Sequence, residues 1–165
     1  MSQSPIVPSR PSAFGTLGWV MFSLAAAGLA LSTLSLVNHY KTSPTEYCDI
    51  GDNFNCDLVN RSDFSELNIA VSGALTGKTK LPVAGIGMAG YVVLMAFSRF
   101  ARNRNAARVM FLAALAGWAF ALRLTYIEKY VLGVWCLLCL GSFAVITILT
   151  ILAAWQTMRA SKTIV

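Results

Sequence analysis

Charge is what this chain has least of. Only 12% of its 165 residues are Asp, Glu, Lys or Arg, against roughly 25% in a soluble globular domain. The hydrophobic share is 56% and comes in long runs, which excludes an ordinary soluble fold and places one domain in the membrane class. The net charge of +6 raises the question of nucleic acid. Four of the arginines (Arg99, Arg102, Arg104 and Arg108) crowd one short segment between apolar runs. They lack the interleaved aromatics on which single strands stack, so they read as a topology signal and no nucleic-acid partner is expected. No internal repeat is present. Residues 1–13 are polar and Pro-rich and are expected to form a disordered cytoplasmic N-terminus.

A spanning helix needs about 20 mostly apolar residues. Four segments qualify: Phe14–His39, Leu81–Phe100, Ala107–Tyr126 and Val131–Trp155. The first is too long for the apolar core of a signal peptide, about 7–15 residues, and reads as a retained helix, although Leu24–Ala30 has small residues resembling a cleavage site. The expected fold is an all-α membrane protein, a four-transmembrane-helix bundle over residues 14–158 with a long outer loop, 40–80, and a cytoplasmic tail, 159–165. Acidic residues are scarce too, and six of the seven (Glu46, Asp49, Asp52, Asp57, Asp63 and Glu66) lie in that loop against Lys41, Arg61, Lys78 and Lys80. The loop is thus net negative and faces outward with the short connection around Glu128 and Lys129, while Arg10, the arginine segment, Arg159 and Lys162 face the cytoplasm. Tyr40, Tyr126, Tyr130 and Trp135 fall at the outer interface. Asp63 as N-cap with Glu66 three positions later predicts a short interfacial helix from Asp63 to Gly77, either a lid or an anchor.

Small residues recur in the spans, as at Ala25–Gly28, at Gly85, Gly87 and Gly90, and at Ala113–Gly117. They let helix backbones approach closely in lipid. Gly85 and Gly87 would also leave room for a flat ligand.

No cysteine falls in the segments assigned to the cytoplasm. Cys48 and Cys56 lie in the outer loop, with a turn-rich stretch between them that a disulfide can close. Cys136 and Cys139 form a C-x-x-C at the outer start of span four, where free N–H groups and the helix dipole favour a thiolate. On a helix, Cys139 would lie about 4.5 Å deeper than Cys136, so the shallow sulfur meets the loop and the deep one a lipid-soluble oxidant. Three readings stand at this point: thiol exchange between the pairs, two inert braces, or a zinc site. A helical C-x-x-C restrains little of the unfolded chain. The spacing of Cys48 and Cys56 is wider than the two to four residues usual in structural zinc sites, and no metal is expected.

Cys48-Asp49-Ile50-Gly51, then Cys56, Val59-Asn60 and Ser62, resembles the first loop of vitamin K epoxide reductase homologues. Leu124-Thr125-Tyr126 followed by Cys136-Leu137-Leu138-Cys139 is similar to the end of their third span and their C-x-x-C, and Gly85–Tyr91 to the start of their second span. The resemblance covers roughly Trp19 to Trp155. It implies a relay in which a soluble thioredoxin-like protein on the outer side reduces Cys48–Cys56, Cys56 attacks Cys136, and Cys139 passes electrons to a quinone (ubiquinone or menaquinone). No fused thioredoxin-like domain is expected, so the partner is expected to be a separate protein.

Many prokaryotic members have a proline where this chain has Gly87. Animal members place a quinone-contacting asparagine where Leu81 stands here, and a tyrosine where Phe143 keeps only the ring. The resemblance with these departures implies a plain quinone held mainly by apolar contacts, near Gly85, Leu81 and Phe143. Ser62 would bond loop backbone or a quinone oxygen. Arg123 would snorkel to the interface or stabilise thiolate or quinone charge. His39 would complement a helix C-terminus or move a proton. With no endoplasmic reticulum retention signal at Lys162–Val165, the expected location is a bacterial inner membrane, both termini cytoplasmic and the cysteines periplasmic. A quinone-epoxide reductase and a non-enzymatic protein with structural disulfides remain the alternatives.

Overall fold

In a computed structural model, residues 14–42, 48, 53–69, 79–100 and 104–162 are described. Four long helices form the body: α1 (Phe14–Tyr40), α3 (Val83–Phe100), α4 (Arg104–Ile127) and α5 (Leu137–Lys162). Between α1 and α3 lie a short helix α2 (Cys56–Asn60), one 3-10 turn (Asp63–Ser65) and strands β1 (Glu66–Ile69) and β2 (Thr79–Pro82). Helix α1 packs along α3 and α5, α4 along α5, and α3 meets α4. The four helices therefore close into a ring.

Three of the helices (Gly15–Tyr40, Asn105–Leu132 and Leu137–Arg159) are long and apolar enough to cross a membrane. The apolar stretch of α3, Val83–Ser98, is shorter. At 1.5 Å per residue it reaches about 24 Å, less than a hydrocarbon core of about 30 Å. Large apolar side chains such as Trp19, Leu112 and Ile151 point away from the bundle with about 60% of their surface exposed. That is the reverse of a soluble helix and suits lipid.

Inside, Met21 and Ala25 of α1, Leu94 of α3, Met110 and Ala114 of α4, and Leu149 and Ala153 of α5 form one buried cluster. Gly28 permits the closest approach: a Cβ there would stand 2.2 Å from the Tyr91 ring. The Tyr91 hydroxyl, which lies beside the Ser142 Oγ at 2.8 Å, donates to the Ser142 carbonyl at 2.9 Å, fixing the ring between α1 and α5.

Several sequence expectations are corrected. The interfacial helix is not what residues 63–69 form. Asp63 caps nothing; Ser62 precedes a single 3-10 turn without a side-chain cap. Glu66–Ile69 then pairs antiparallel with Thr79–Pro82, so its backbone groups are satisfied in a ladder. The rest of that expected helix, 70–77, lies outside the described residues. Leu81 does not open the second span: it sits in β2 opposite Leu67, and the helix begins at Val83. Helix five does not begin at Val131. Glu128–Leu132 continues α4 as a π-helical turn, and Gly133, at φ 70°, ends it in the left-handed region that glycine tolerates.

The cysteine cluster and the cavity beneath it

Two local devices bring the outer cysteines over the inner ones. Asn55 caps α2, its side-chain oxygen accepting the Leu58 amide at 2.7 Å. This sets the first residue of that helix, Cys56. Phe54 and Trp135 then form a parallel bridge. The Trp135 amide donates to the Asn53 carbonyl at 2.9 Å, and the Asn55 amide donates to the Trp135 carbonyl at 3.1 Å. The loop is thereby clipped to the residue before Cys136. Cys48 and Cys56 are joined by a disulfide, with Cα atoms 5.6 Å apart. The sulfurs of Cys48, Cys56 and Cys136 all lie within 4.8 Å of one another.

Cys136 and Cys139 are free thiols. The Cys136 carbonyl accepts the Leu140 amide at 2.9 Å, so the residue opens α5. Hydrogen bonding from the Cys139 thiol holds the Cys136 thiol below its ordinary range, against the opposing effect of burial. Cys56 and Cys136 are fully buried and Cys48 is 1% exposed.

Glu128, expected in the short outward-facing connection, is buried at 1% exposure. Its Oε2 accepts the Cys136 amide at 3.1 Å, and its carboxylate also interacts with the Cys139 thiol. The Cys136 amide meets one oxygen of this buried acid, while Oε1 has no hydrogen-bond partner in the protein. Sequence reasoning passed over it because the acid stands eight positions before Cys136, beyond a left-handed turn.

Beneath the cluster lies a cavity of about 540 Å³. Its wall is mostly apolar, with Leu31, Gly87, Ala116, Leu124 and Ile146 from all four long helices. Cys139 and Glu128 border it, as do His39, Asn60 and Ser62. The Ser62 hydroxyl donates to the Val59 carbonyl at 2.8 Å. His39 Nδ1 bonds the Asn60 carbonyl, and its Nε2 is 3.8 Å from Glu66.

Gly85, Leu81, Phe143 and Arg123 do not line the cavity. Phe143 stacks on Trp118 with ring centres 6.5 Å apart. Leu81 is 39% exposed, and Arg123 is exposed on α4.

Membrane-length helices, a disulfide set against a thiol pair, and an apolar cavity reaching one of those thiols are together consistent with a membrane thiol oxidoreductase. The family model of the vitamin K epoxide reductase family matches residues 19–154, most of the chain, and the chain belongs to that family. Its members are membrane oxidoreductases generally linked to quinones. No curated protein matches the chain.

Proposed function

We propose that this protein oxidises a soluble thioredoxin-like protein and delivers the electrons to a quinone, so generating protein disulfides. The observation that carries the reading is the trio of sulfurs within 4.8 Å. Thiol exchange requires a thiolate to reach a disulfide sulfur, and here the loop disulfide lies against the C-x-x-C.

The sequence of events is as follows. The partner's thiolate attacks Cys48, and Cys56 leaves as a thiolate. The partner's second thiol releases it from Cys48, so two electrons now rest on Cys48 and Cys56. Cys56 attacks Cys136 of an oxidised Cys136–Cys139 pair, and Cys139 leaves. Cys48 then attacks Cys56, restoring the loop disulfide and freeing Cys136. The state in the structure, one disulfide beside two thiols, is the one this exchange leaves behind. Glu128 is placed to hold a proton from Cys139 and to fix the Cys136 backbone.

The cavity suits a quinone: it is mostly apolar, large enough for the ring, bordered by Cys139, and lined by Asn60 with its buried unpartnered donor. A bound quinone supplies the two-electron acceptor through which the C-x-x-C can become oxidised again. The arginine segment joins α3 to α4 at the end of the bundle away from the cysteines. This supports a cytoplasmic face there and a periplasmic face at the cysteines, in a bacterial inner membrane with α3 as a fourth crossing. No metal enters the reading, since two of the three clustered sulfurs are bonded to each other.

The test is quinone absorbance with purified protein, a reduced thioredoxin-like partner and a short-chain quinone. Wild type should consume quinone, while Cys48→Ala and Cys139→Ala should each fall to background. Disulfides that resist reduction, with no quinone consumed by any partner, would return the protein to a structural role.

A further inference from the structure

Asn60 is a residue for which turn chemistry in the outer loop would be the ordinary explanation. The structure gives it another setting. It ends α2, is 6% exposed, and lines the cavity together with Cys139 and Glu128. Both of its acceptors are engaged. Oδ1 takes the Ser35 hydroxyl at 2.7 Å, and the backbone carbonyl is bonded by His39 Nδ1. Helix α1 thus grips the residue at two points and fixes its amide plane. Nδ2 is buried and has no hydrogen-bond partner in the protein. A buried amide donor left unpaired is costly, and such groups are normally matched.

The neighbouring hydroxyls are committed. Ser62 donates to Val59, Ser65 to the Ser62 carbonyl, Tyr91 to Ser142 and Thr125 to the Ala121 carbonyl. Among the residues lining the cavity, Asn60 thus holds a fixed N–H with no acceptor in the protein; Glu128 Oε1, on the same lining, likewise has no hydrogen-bond partner.

We infer that Asn60 Nδ2 donates a hydrogen bond to a ring carbonyl oxygen of the quinone and so seats the ring beside Cys139. The inference rests on the quinone reading above. It makes Asn60 a binding residue, and it makes the carbonyl, rather than the isoprenoid tail alone, a determinant of recognition. A ring of equal size without a carbonyl would leave Nδ2 unpaired and bind more weakly.

The test uses the full chain in lipid nanodiscs with both cysteine pairs oxidised, so that no turnover occurs. Short-chain ubiquinone, labelled with carbon-13 at its carbonyls, is titrated by quenching of tryptophan fluorescence, and its carbonyl stretch is read by infrared difference spectroscopy. In wild type the bound carbonyl should absorb at lower frequency than the free quinone. Asn60→Leu should weaken binding about tenfold, as for loss of one hydrogen bond, and abolish the downshift. Asn60→Asp keeps the shape and an oxygen for Ser35 while replacing the donor by an acceptor. It should do the same, and it covers the case in which the leucine variant fails to fold.

Wild type that binds quinone with a downshift which both folded variants retain, at unchanged affinity, overturns the role of Asn60 and leaves the relay standing. Wild type that binds no quinone overturns the quinone reading and this inference with it.

Discussion

The two ends of the bundle are built on opposite plans. Toward the arginine segment the helices close on one another, with Met21, Met110 and Leu149 filling the axis and Ala25, Ala114 and Ala153 letting them approach. Toward the cysteines the same four helices leave a cavity of about 540 Å³ and are capped by a loop instead of by each other. The first end is held mainly by packing, which is what lipid-embedded helices have available, with the Thr150 hydroxyl bonded to the Ala114 carbonyl at 3.2 Å across α4 and α5. The second is held by hydrogen bonds from backbone and polar side chains: the Phe54–Trp135 bridge, the Asn55 cap, the Ser35–Asn60 pair and the Glu128 carboxylate on Cys136. Packing tolerates no empty space, so a ligand site needs the other plan. The polar contacts hold the walls apart while fixing sulfur positions.

The largest effect short of removing a cysteine is expected at the one residue that joins the polar scaffold to the chemistry. Glu128→Gln keeps an oxygen for the Cys136 amide and loses the carboxylate that faces Cys139. Quinone reduction should fall about a hundredfold, the lower range for a lost general acid–base group. Transfer from the partner to Cys48–Cys56, followed by gel-shift of alkylated thiols, should change little. If both halves fell together, Glu128 would be a folding element of the cysteine end and the division between scaffold and chemistry would fail there.

That division also explains which parts of the molecule were legible in the sequence. Apolar runs announce lipid-exposed helices because each residue carries the signal by itself, and the cysteine spacings with Ser62 were enough to indicate the family. The polar scaffold left no such trace. Trp135 reads as an interfacial aromatic, yet it pairs in a strand-like bridge with Phe54, 81 positions earlier. Glu128 reads as an acid in a connection, because a π-helical turn ending in a left-handed glycine has no periodic signature. Asp63 and Glu66 have the spacing of a capping box, but Glu66 enters a strand whose partner begins at Thr79. Each of these depends on a contact distant in sequence, and local pattern cannot report it. The cavity fared likewise. Phe143, expected near a quinone from the resemblance, stacks on Trp118, while Asn60, two positions from Ser62, lines the cavity.

Glycine substitutions sharpen the contrast between filled and hollow regions at a single helix pair. Gly28 on α1 lies under the Tyr91 ring, where an added Cβ would stand 2.2 Å from it. Gly28→Ala must push Tyr91 off its bond to Ser142, at a cost of about 1–3 kcal/mol for overpacking. Gly90, one residue before Tyr91 on α3, borders the cavity and has nothing within 4 Å of its added Cβ. Gly90→Ala should leave thermal stability unchanged or raise it slightly, since alanine is the better helix former. Melting of the two variants in the same detergent gives the comparison. Equal losses at both positions would mean that the cysteine end is as tightly packed as the other.

The smallest effect is expected at the cap of α2. Asn55→Ala removes the acceptor for the Leu58 amide but leaves the Asn55 backbone bond to Trp135 intact. Loss of an N-cap costs about 1 kcal/mol, and a five-residue helix has little else of its own to hold it. The bridge keeps the loop docked, so Cys56 remains near Cys136 and its sulfur is only less well aimed. Transfer from Cys56 to Cys136, read as quinone reduction with excess reduced partner, should slow about fivefold, while the titrated affinity for quinone should not move, because Asn60 stays gripped by Ser35 and His39. A larger loss in affinity than in rate would show that the cap supports the cavity rather than the sulfur, and that the loop acts on the two sites as one unit.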